Sequence, residues 1–396
     1  MNTAVLIDAV RTAGGKRYGG LSGWHPADLA GEVLSELMSR NGVDPELVDD
    51  VVMGCVTQVG RQAANIGRYA ALAAGFPESV PATTIDRQCG SSQQAVHFAA
   101  QGVQSGAYDV VVAAGVEVMS STPMASAIVP GLLPYGDKVV ARYEPRGGLQ
   151  SQGIAAELIT SHWKLNRELL DEYGVRSQRL ATIARDEGRF DREIVPLRRR
   201  TMDRETGEIV EGTELVRADE GIRPDTNLEV LATLKPSFVP EGRTTAATSS
   251  QITDGASAAL IMSEQKAREL GLTPRARFHT FSVTGSDPVM MLTGPIPATR
   301  KVLAKAGLEV SQIDHFEVNE AFAAVVLAWI KELRPQEEKV NPNGGAIALG
   351  HPLGGSGVKL LATMLHELER TGGRFGLQTM CEGGGLANAM IVERLG

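Results

Sequence analysis

A cysteine followed by glycine, two serines and a helix-prone run is the most chemically suggestive stretch of the chain. Cys89 lies in DRQCGSSQQA (Asp86–Ala95), directly before the helix formers of QQAVHFAAQ (Gln93–Gln101). A thiol at a helix start faces unpaired N–H groups and the positive end of the helix dipole. That position lowers the pKa of a thiol and favours a nucleophilic thiolate. The alternative is a small buried residue that packs at the start of a helix.

Three motifs in the second half place further reactive side chains beside turns and glycines. Asn319 follows the strand-like run in HFEVNEAFA, where it could also simply cap a helix. His351 lies among six glycines in NPNGGAIALGHPLGGSG (Asn341–Gly357), a position that suits proton transfer better than core packing. Cys381 precedes three glycines in MCEGGGLANAM, and such a turn can direct backbone N–H groups at an oxyanion.

These four side chains together indicate covalent chemistry at a carbonyl group. One thiolate attacks the carbonyl carbon, a histidine takes the thiol proton, and a second thiol moves another proton. Hydrolysis needs only one cysteine, so two cysteines imply a carbon acid or a second leaving group.

Alternating strand and helix patterns predict an α/β fold that positions these residues. Strands are expected over Ala4–Val10 and Val48–Val56, with an amphipathic helix over His25–Arg40 between them. Residues 121–242 differ, with Pro-rich turns and charged helices, and this segment is interpreted as an inserted lid. A charged helix within it is expected to end in the basic tail Arg198–Arg200.

The second half of the chain repeats the pattern of the first. Asn41–Gly54 resembles Ala306–Asn319, and Gly106–Gly115 resembles Gly372–Cys381. The landmarks Asp49 and Asp314 are 265 residues apart, and the two leading glycines of the second pair are 266 apart. This near-constant spacing predicts a duplicated α/β unit, although two common αβ patterns could also coincide by chance.

Composition limits the classes of function. A chain of 396 residues is too long for one ordinary hydrophobic core, so more than one domain-sized unit is expected. The net charge of −8 argues against a nucleic-acid binder. Cys55, Cys89 and Cys381 form no CxxC motif, so neither a disulfide framework nor a metal site is expected. The sequence has no apolar run long enough to span a membrane and no signal-peptide pattern, which predicts a cytoplasmic protein.

The four motifs together resemble those of the thiolase family, which includes acetyl-CoA acetyltransferases and 3-ketoacyl-CoA thiolases. CGSSQQA, VNEAFA, NGGAIALGHPLGGSG and CEGGG are similar to its signature blocks, in the right order over essentially the whole chain. The resemblance implies a duplicated αβαβα layered sandwich with a five-stranded sheet in each half and an inserted loop domain. The implied units are residues 1–120 plus 243–270, the loop domain 121–242 that covers coenzyme A, and residues 271–396.

The resemblance also implies a role for each reactive residue. Cys89 would carry the acyl group, and His351 would activate it and help to bind the thioester oxygen. Asn319 would hold a water that forms one oxyanion hole with His351, and the N–H groups of Cys89 and Gly383 would form the second. Cys381 would be the acid/base at the α-carbon. Covalent transfer of this kind predicts ping-pong kinetics.

Coenzyme A is then a substrate, and no separate cofactor is expected. The residues expected to contact it are Ser250, Arg223, Met291, Phe238 and Phe322. Arg223 could equally be a solvated surface charge. The run Arg198–Arg200 could contact phosphates or form a solvated face.

Departures from the family pattern concern the acyl pocket. Ser151-Gln152-Gly153 stands where many biosynthetic relatives have His-Met-Gly, and Gln93-Gln94 stands where many have Leu-Lys. Tyr18-Gly19 takes the place of a Phe-Gly pair, and Glu382 adjoins Cys381. These differences favour a degradative thiolase of fatty-acid or bulky acyl β-oxidation over a short-chain acetoacetyl-CoA thiolase.

Two other functions are alternatives. A decarboxylating ketoacyl synthase or a cysteine thioesterase would not need Cys381, and a non-catalytic acyl-CoA-binding relative would not need all four reactive side chains. As in the family, a homodimer or homotetramer is expected, with Ser121–Arg146 as a candidate contact.

Overall fold

A computed structural model describes residues 2–396, which form thirteen β-strands and twelve α-helices. The strands are β1 (Ala4–Thr12), β2 (Gly15–Lys16), β3 (Asp50–Gly54), β4 (Ala82–Ile85), β5 (Val110–Val118), β6 (Ile194–Val195), β7 (Leu197–Met202), β8 (Ile209–Val216), β9 (Thr253–Ser263), β10 (Ala276–Gly285), β11 (His315–Val318), β12 (Phe375–Glu382) and β13 (Leu386–Arg394). The helices are α1 (Pro26–Asn41), α2 (Ile66–Ala73), α3 (Ser91–Ser105), α4 (Asp137–Tyr143), α5 (Gln152–His162), α6 (Arg167–Asp186), α7 (Leu228–Ala232), α8 (Glu264–Glu269), α9 (Pro295–Ala306), α10 (Ala323–Leu333), α11 (Ala346–Leu349) and α12 (Ser356–Thr371).

Local sequence signals account for the first elements. The side chain of His25 accepts a hydrogen bond from the N–H of Ala27 at the start of α1, and Pro26 occupies the first helical position. Gly42 ends α1 with φ +61°, a conformation that glycine adopts without strain. The predicted helix His25–Arg40 is therefore confirmed almost to the residue, whereas the strand expected over Val48–Val56 shortens to β3.

The two halves repeat one sheet topology, which confirms the predicted duplication. In the first half the order is β4-β3-β5-β9-β1, with β3 parallel to β4 and β5, and with β9 antiparallel to β5 and β1. In the second half β11, β12, β13 and β10 follow in the same order and orientation. The counterpart of β4 is reduced to one parallel bridge from Phe316 to Val340. The expectation of five full strands in each half was thus wrong for the second half.

Three apolar layers lie between the sheets and helices. Side chains of α1 and α2 pack on the outer face of the first sheet. The central helices α3 and α12 pack between the two sheets, and α9 and α10 cover the outer face of the second sheet. Because helices cover both faces, β5 and β9 are buried along their whole length. The layers are those of the predicted αβαβα sandwich.

A long excursion separates β5 from β9, whereas a short glycine turn joins their counterparts β12 and β13. The excursion contains α4 to α7 and the hairpin of β7 and β8. Arg198–Arg200 lie on β7, so the expectation that they form the basic tail of a helix was wrong. The helix ends at Asp186, and the non-local pairing with β8 makes the following segment extended.

Membrane-spanning helices were sought over residues 2–396. None of the helices described there is both long and apolar enough to cross a bilayer.

Candidate active site

Cys89 lies in a tight turn immediately before α3, as the sequence predicts, and its side chain is 4% exposed. The N–H of Gly90 donates to the carbonyl oxygen of Arg87, and the N–H of Ser91 donates to that of Gln88. The hydroxyl of Ser91 accepts from the N–H of Arg87 at 2.9 Å and closes the turn. Gln88 has a positive φ of 49°, which bends the chain so that the helix can begin directly after the cysteine.

The equivalent helix of the second half begins opposite this turn. The first residue of α3 is Ser91 and that of α12 is Ser356, which keeps the spacing of 265 residues. Cys89 packs in a small apolar cluster with Leu353, two residues after His351, and with Met380, which precedes Cys381. The duplicated fold therefore brings the motifs of both halves to one point.

His351 is held as a neutral imidazole with a defined tautomer. Its Nδ1 lies 2.5 Å from Ser356 Oγ, and that hydroxyl donates its one proton to the carbonyl oxygen of Pro352 at 2.8 Å. Nδ1 must therefore carry the imidazole proton, and Nε2 is left as an acceptor. The N–H of His351 donates to Thr253 Oγ1 and fixes the backbone.

The surroundings of His351 oppose its protonation. Burial, with the charge of Lys359 as a second cause, lowers the pKa of His351 to about 3. The Lys359 ammonium group is itself buried and donates to the carbonyl oxygens of Leu349 and Gly350, just before the histidine. Lys359 thus supports the loop and keeps Nε2 available as a base.

Asn319 and Cys381 lie beside Nε2. Asn319 follows β11, and its Nδ2 is 3.4 Å from His351 Nε2, while its Oδ1 has no hydrogen-bond partner among residues 2–396. The Asn319 side chain and the backbone of Ala321 lie near the thiol of Cys381 and favour its ionised form. Burial, and next the nearby Glu382, raise the pKa of Cys381 to about 12, so this thiol carries its proton.

The expected low pKa of Cys89 was wrong. Complete burial is the largest cause of a pKa well above the ordinary thiol value, and Cys381 and Glu382 add to it. The helix start does not outweigh this desolvation. Cys89 is therefore a thiol in the resting protein and needs a base to become a nucleophile.

Gly383 stands at the rim of the same site. It follows β12 in a turn in which Gly384 and Gly385 have φ of +82° and +79°. A Cβ atom at Gly383 would lie 2.8 Å from Gln88 Oε1, so the glycine lets this turn approach the Cys89 turn closely.

A cleft of about 450 Å³ opens beside these residues, and three of the five predicted coenzyme A contacts line it: Arg223, Ser250 and Phe238. The other two lie deeper. Phe322 meets Phe238 edge to face at 5.7 Å between ring centroids, and Met291 belongs to the same apolar cluster as Phe322. The N–H of Ser250 donates to the carbonyl oxygen of Ala321, which ties the cleft to the strand end that bears Asn319.

Sequence reasoning missed two cationic residues of this cleft. Lys16 and Arg17 line it and follow directly on a glycine pair, a signal that was present in the sequence. The cleft lining includes none of Arg198–Arg200. Two of these arginines pair with carboxylates instead, Arg199 with Glu220 at 3.6 Å and Arg200 with Glu211 at 3.0 Å.

Comparison with known proteins gives the family. The family model for the thiolase N-terminal domain matches residues 4–265, and that for the thiolase C-terminal domain matches residues 272–394. The chain belongs to the thiolase family. The predicted family, fold and enzyme class are thereby confirmed.

Individual thiolases match over the full chain. The steroid 3-ketoacyl-CoA thiolase FadA6 of Mycobacterium tuberculosis is 50% identical, covering 100% of this chain and 95% of its own length. A 3-ketoacyl-CoA thiolase of Klebsiella pneumoniae is 44% identical and covers 100% of both chains. The crystal structure of the Bacillus anthracis acetyl-CoA acetyltransferase is 41% identical, with a TM-score of 0.88 over 100% of this thiolase and 99% of that chain.

Within residues 2–396, no cluster of three or more histidine, cysteine, aspartate or glutamate side chains could hold a metal ion.

Proposed function

We propose that this thiolase transfers acyl groups between 3-ketoacyl-CoA and coenzyme A through an acyl thioester on Cys89. One observation carries the proposal: a neutral imidazole whose Nε2 faces Asn319 lies in one buried cluster with two protonated thiols. This arrangement supplies one nucleophile, one base and one separate acid, which is the set that cleavage of a carbon–carbon bond next to a ketone requires.

In the first half-reaction Cys89 Sγ attacks the 3-keto carbon while its proton passes to His351 Nε2. The N–H groups of Cys89 and Gly383 stabilise the resulting oxyanion. The C2–C3 bond then breaks, and its electron pair forms the enolate of acetyl-CoA. His351 and a water held by Asn319 stabilise the enolate oxygen, and the thiol of Cys381 delivers a proton to the α-carbon.

The second half-reaction restores the resting protonation states. The thiolate of Cys381 takes the proton of the incoming coenzyme A thiol, whose sulfur attacks the thioester. Cys89 leaves as a thiolate and regains its proton from His351. Run in reverse, the same steps give a Claisen condensation of two acyl-CoA molecules.

The cleft supports a place for coenzyme A. Lys16, Arg17 and Arg223 supply positive charge for phosphates, and Phe238 and Phe322 supply an apolar wall for the pantetheine chain. On this proposal the segment 121–242 covers coenzyme A, between the halves formed by residues 1–120 plus 243–270 and by residues 271–396. Coenzyme A acts as a substrate, with no further cofactor, in the cytoplasm.

We also propose a homodimer or homotetramer. The candidate contact Ser121–Arg146 carries large apolar side chains in contact with solvent, among them Leu132 at 66% and Leu133 at 65% exposure. Patches of this kind mark interaction surfaces. Sedimentation analysis of the wild type and of a Leu132→Ser, Leu133→Ser variant tests this role, and an unchanged mass would contradict it.

For the substrate we propose a bulky acyl group from a degradative pathway. Ser151, which caps α5 through its side chain, replaces a larger histidine found in many biosynthetic relatives. The 50% identity to a thiolase named for steroid substrates also supports a bulky acyl group.

A panel of 3-ketoacyl-CoA substrates tests the proposal. Thiolysis of acetoacetyl-CoA, of linear medium- and long-chain substrates and of ring-bearing substrates is measured with coenzyme A. We expect ping-pong kinetics and the highest kcat/KM for a bulky acyl group. Highest kcat/KM for acetoacetyl-CoA would favour the short-chain alternative, and no cleavage of any substrate would contradict the thiolase reaction itself.

A further inference from the structure

Glu382 is a fully buried carboxyl group that the reaction above does not use. It ends β12 next to Cys381, its residue is 0% exposed, and neither carboxyl oxygen has a hydrogen-bond partner among residues 2–396. Its Oε1 lies only 2.1 Å from the position that a Cβ atom on Gly90 would take. The carboxyl group therefore packs directly against the backbone of the turn that bears the nucleophile.

The duplicated fold contains a matched comparison for this residue. Glu117 lies 265 residues earlier, at the same place on β5. Its carboxylate accepts hydrogen bonds from the N–H groups of Val56, Thr57 and Gly354 and from Gln62 Nε2, at 2.7 to 3.0 Å. Four donors reach the carboxyl group at position 117, whereas none within residues 2–396 has hydrogen-bond geometry to the equivalent group at position 382.

The neighbours of Glu382 also favour a neutral group. Asn388 on β13 donates its Nδ2 to the carbonyl oxygen of Gly90, and its own Oδ1 lacks a donor. The backbone N–H of Asn388 lies near the carboxyl group but outside hydrogen-bond geometry. A protonated Glu382 carboxyl group has an O–H to donate to an acceptor such as Asn388 Oδ1, whereas an ionised carboxylate has no proton to donate.

The titratable groups around Glu382 lie on the turn that bears the nucleophile and on the two cysteines. Arg87 favours the ionised carboxylate and Asp86 opposes it, while Cys89 and Cys381 are neutral in the resting protein. Burial outweighs Arg87 and raises the pKa of Glu382 to about 8. An ionised Glu382 would place negative charge next to both thiols and oppose their conversion to thiolates.

We propose that Glu382 is a positioning residue that carries its proton in the resting thiolase, supports the Cys89 turn as a neutral group, and opposes thiolate formation at Cys89 once it ionises. The proposal rests on the function given above, because Cys89 must be the nucleophile for this control to affect catalysis. Above neutral pH, Cys89 should therefore be less reactive than it would be beside an uncharged residue 382. Ionisation of Glu382 causes this difference, and titration of His351 or of the thiols does not.

Alkylation of Cys89 tests the proposal without any acyl substrate, so its outcome is independent of whether the thiolase reaction is assigned correctly. The rate of modification by iodoacetamide is followed at Cys89 by peptide mass spectrometry, from about pH 6 to about pH 10, in the wild type and in Glu382→Gln. We expect equal rates near pH 6. Near pH 10, Cys89 should react faster in the variant than in the wild type. The ratio of the two rates should be about tenfold for each unit by which ionised Glu382 raises the pKa of the Cys89 thiol.

Glu117→Gln is the matched control. Burial raises the pKa of Glu117 as well, but its four donors oppose that shift, so we expect its variant to differ from the wild type by a factor that does not change with pH. Glu382→Met, an uncharged side chain of similar length, repeats the measurement if Glu382→Gln does not fold. Three results would overturn the proposal: identical rates for the wild type and the Glu382 variant at every pH, a faster variant at every pH, or the same pH-dependent divergence in Glu117→Gln.

Discussion

The reactive side chains are uncharged in the resting site. Burial is the largest cause that raises the pKa values of the Cys89 and Cys381 thiols and lowers that of His351, because it disfavours the charged form of each group. The proton of Cys89 therefore has one suitable acceptor, Nε2 of His351, whose tautomer is set by Ser356. The nucleophile forms only when it transfers this proton, and the oxyanion donors then stabilise the charge that develops.

Asn319→Ala removes the side chain that we propose to hold the donor water of the enolate oxyanion hole. We expect kcat to fall by about 10²–10³, since one oxyanion-hole donor contributes about 3–4 kcal/mol to the transition state. The side chain makes few bonds in the resting protein, so the urea midpoint should change little. Steady-state thiolysis and urea unfolding measure the two effects, and a loss of activity below about tenfold would show that Asn319 does not hold the donor water.

At the scale of elements, the site depends on two equivalent helices that begin opposite each other. The counterpart of Cys89 is Gly354, and the carbonyl oxygen of Gly354 lies 2.2 Å from the position of a Cβ atom on Gly115 of β5. The added Cβ atom on Gly115 would also lie 2.6 Å from Ser92 Cβ on α3. Strand β5 therefore carries a glycine where the starts of both helices meet, and this close approach brings His351 to Cys89.

Gly115→Ala tests this contact between elements. The added methyl group must displace the backbone at Gly354, so we expect a loss of about 1–3 kcal/mol in the free energy of unfolding together with lower activity. Gly285→Ala on β10 is the control, because no atom lies within 4 Å of its Cβ position and its cost should stay within about 0.5 kcal/mol. Equal urea midpoints for the two variants would contradict the account.

The sequence predicted elements wherever the signal was local. The caps of α1, the helix after Cys89 and the four motifs that bear the reactive residues could all be read directly from short segments. The helical tail predicted at Arg198–Arg200 was wrong because β7 depends on pairing with β8, which local charge does not reveal. The low thiol pKa predicted for Cys89 was wrong because burial by residues from the other half of the chain decides it. The Ser356 contact with His351 also needed the fold, although the two are only five residues apart.

At the scale of the whole molecule, buried ion pairs join the excursion between β5 and β9 to the body of the protein. Arg11 on β1 contacts Glu193 at 2.6 Å and Asp219 at 2.7 Å, and all three side chains are almost completely buried. Asp219 also lies 3.6 Å from Lys359, which supports the loop before His351. The segment that we propose to cover coenzyme A is thereby connected to the catalytic base.

Arg11→Met breaks this network and leaves two buried carboxylates without their main partner. We expect a loss of about 3–5 kcal/mol in the free energy of unfolding near neutral pH. Arg268→Met is the control, since its pairing with Glu264 is exposed and should contribute little. Urea unfolding gives both values, and a cost for Arg11→Met no larger than that of the control would contradict the role of the network.

The cost of Arg11→Met should also depend on pH. Burial alone would raise the pKa values of Asp219 and Glu193, but Arg11 outweighs it and both lie below their ordinary values. The stability that these carboxylates add is therefore fully present above about pH 4, and it is lost as the pH falls through their folded pKa values. The difference between variant and wild type should shrink in acid, and a constant difference would contradict this assignment.

The central claim is that Cys89 carries the acyl group, and one measurement tests it most directly. The protein is incubated with a 3-ketoacyl-CoA without free coenzyme A, digested, and examined by peptide mass spectrometry. All three cysteines are free and buried, so Cys55 and Cys381 serve as internal controls. We predict the shortened acyl group on Cys89 alone, with one equivalent of acetyl-CoA released. An acyl group on Cys381 or Cys55, or turnover with no acylated cysteine, would contradict the account.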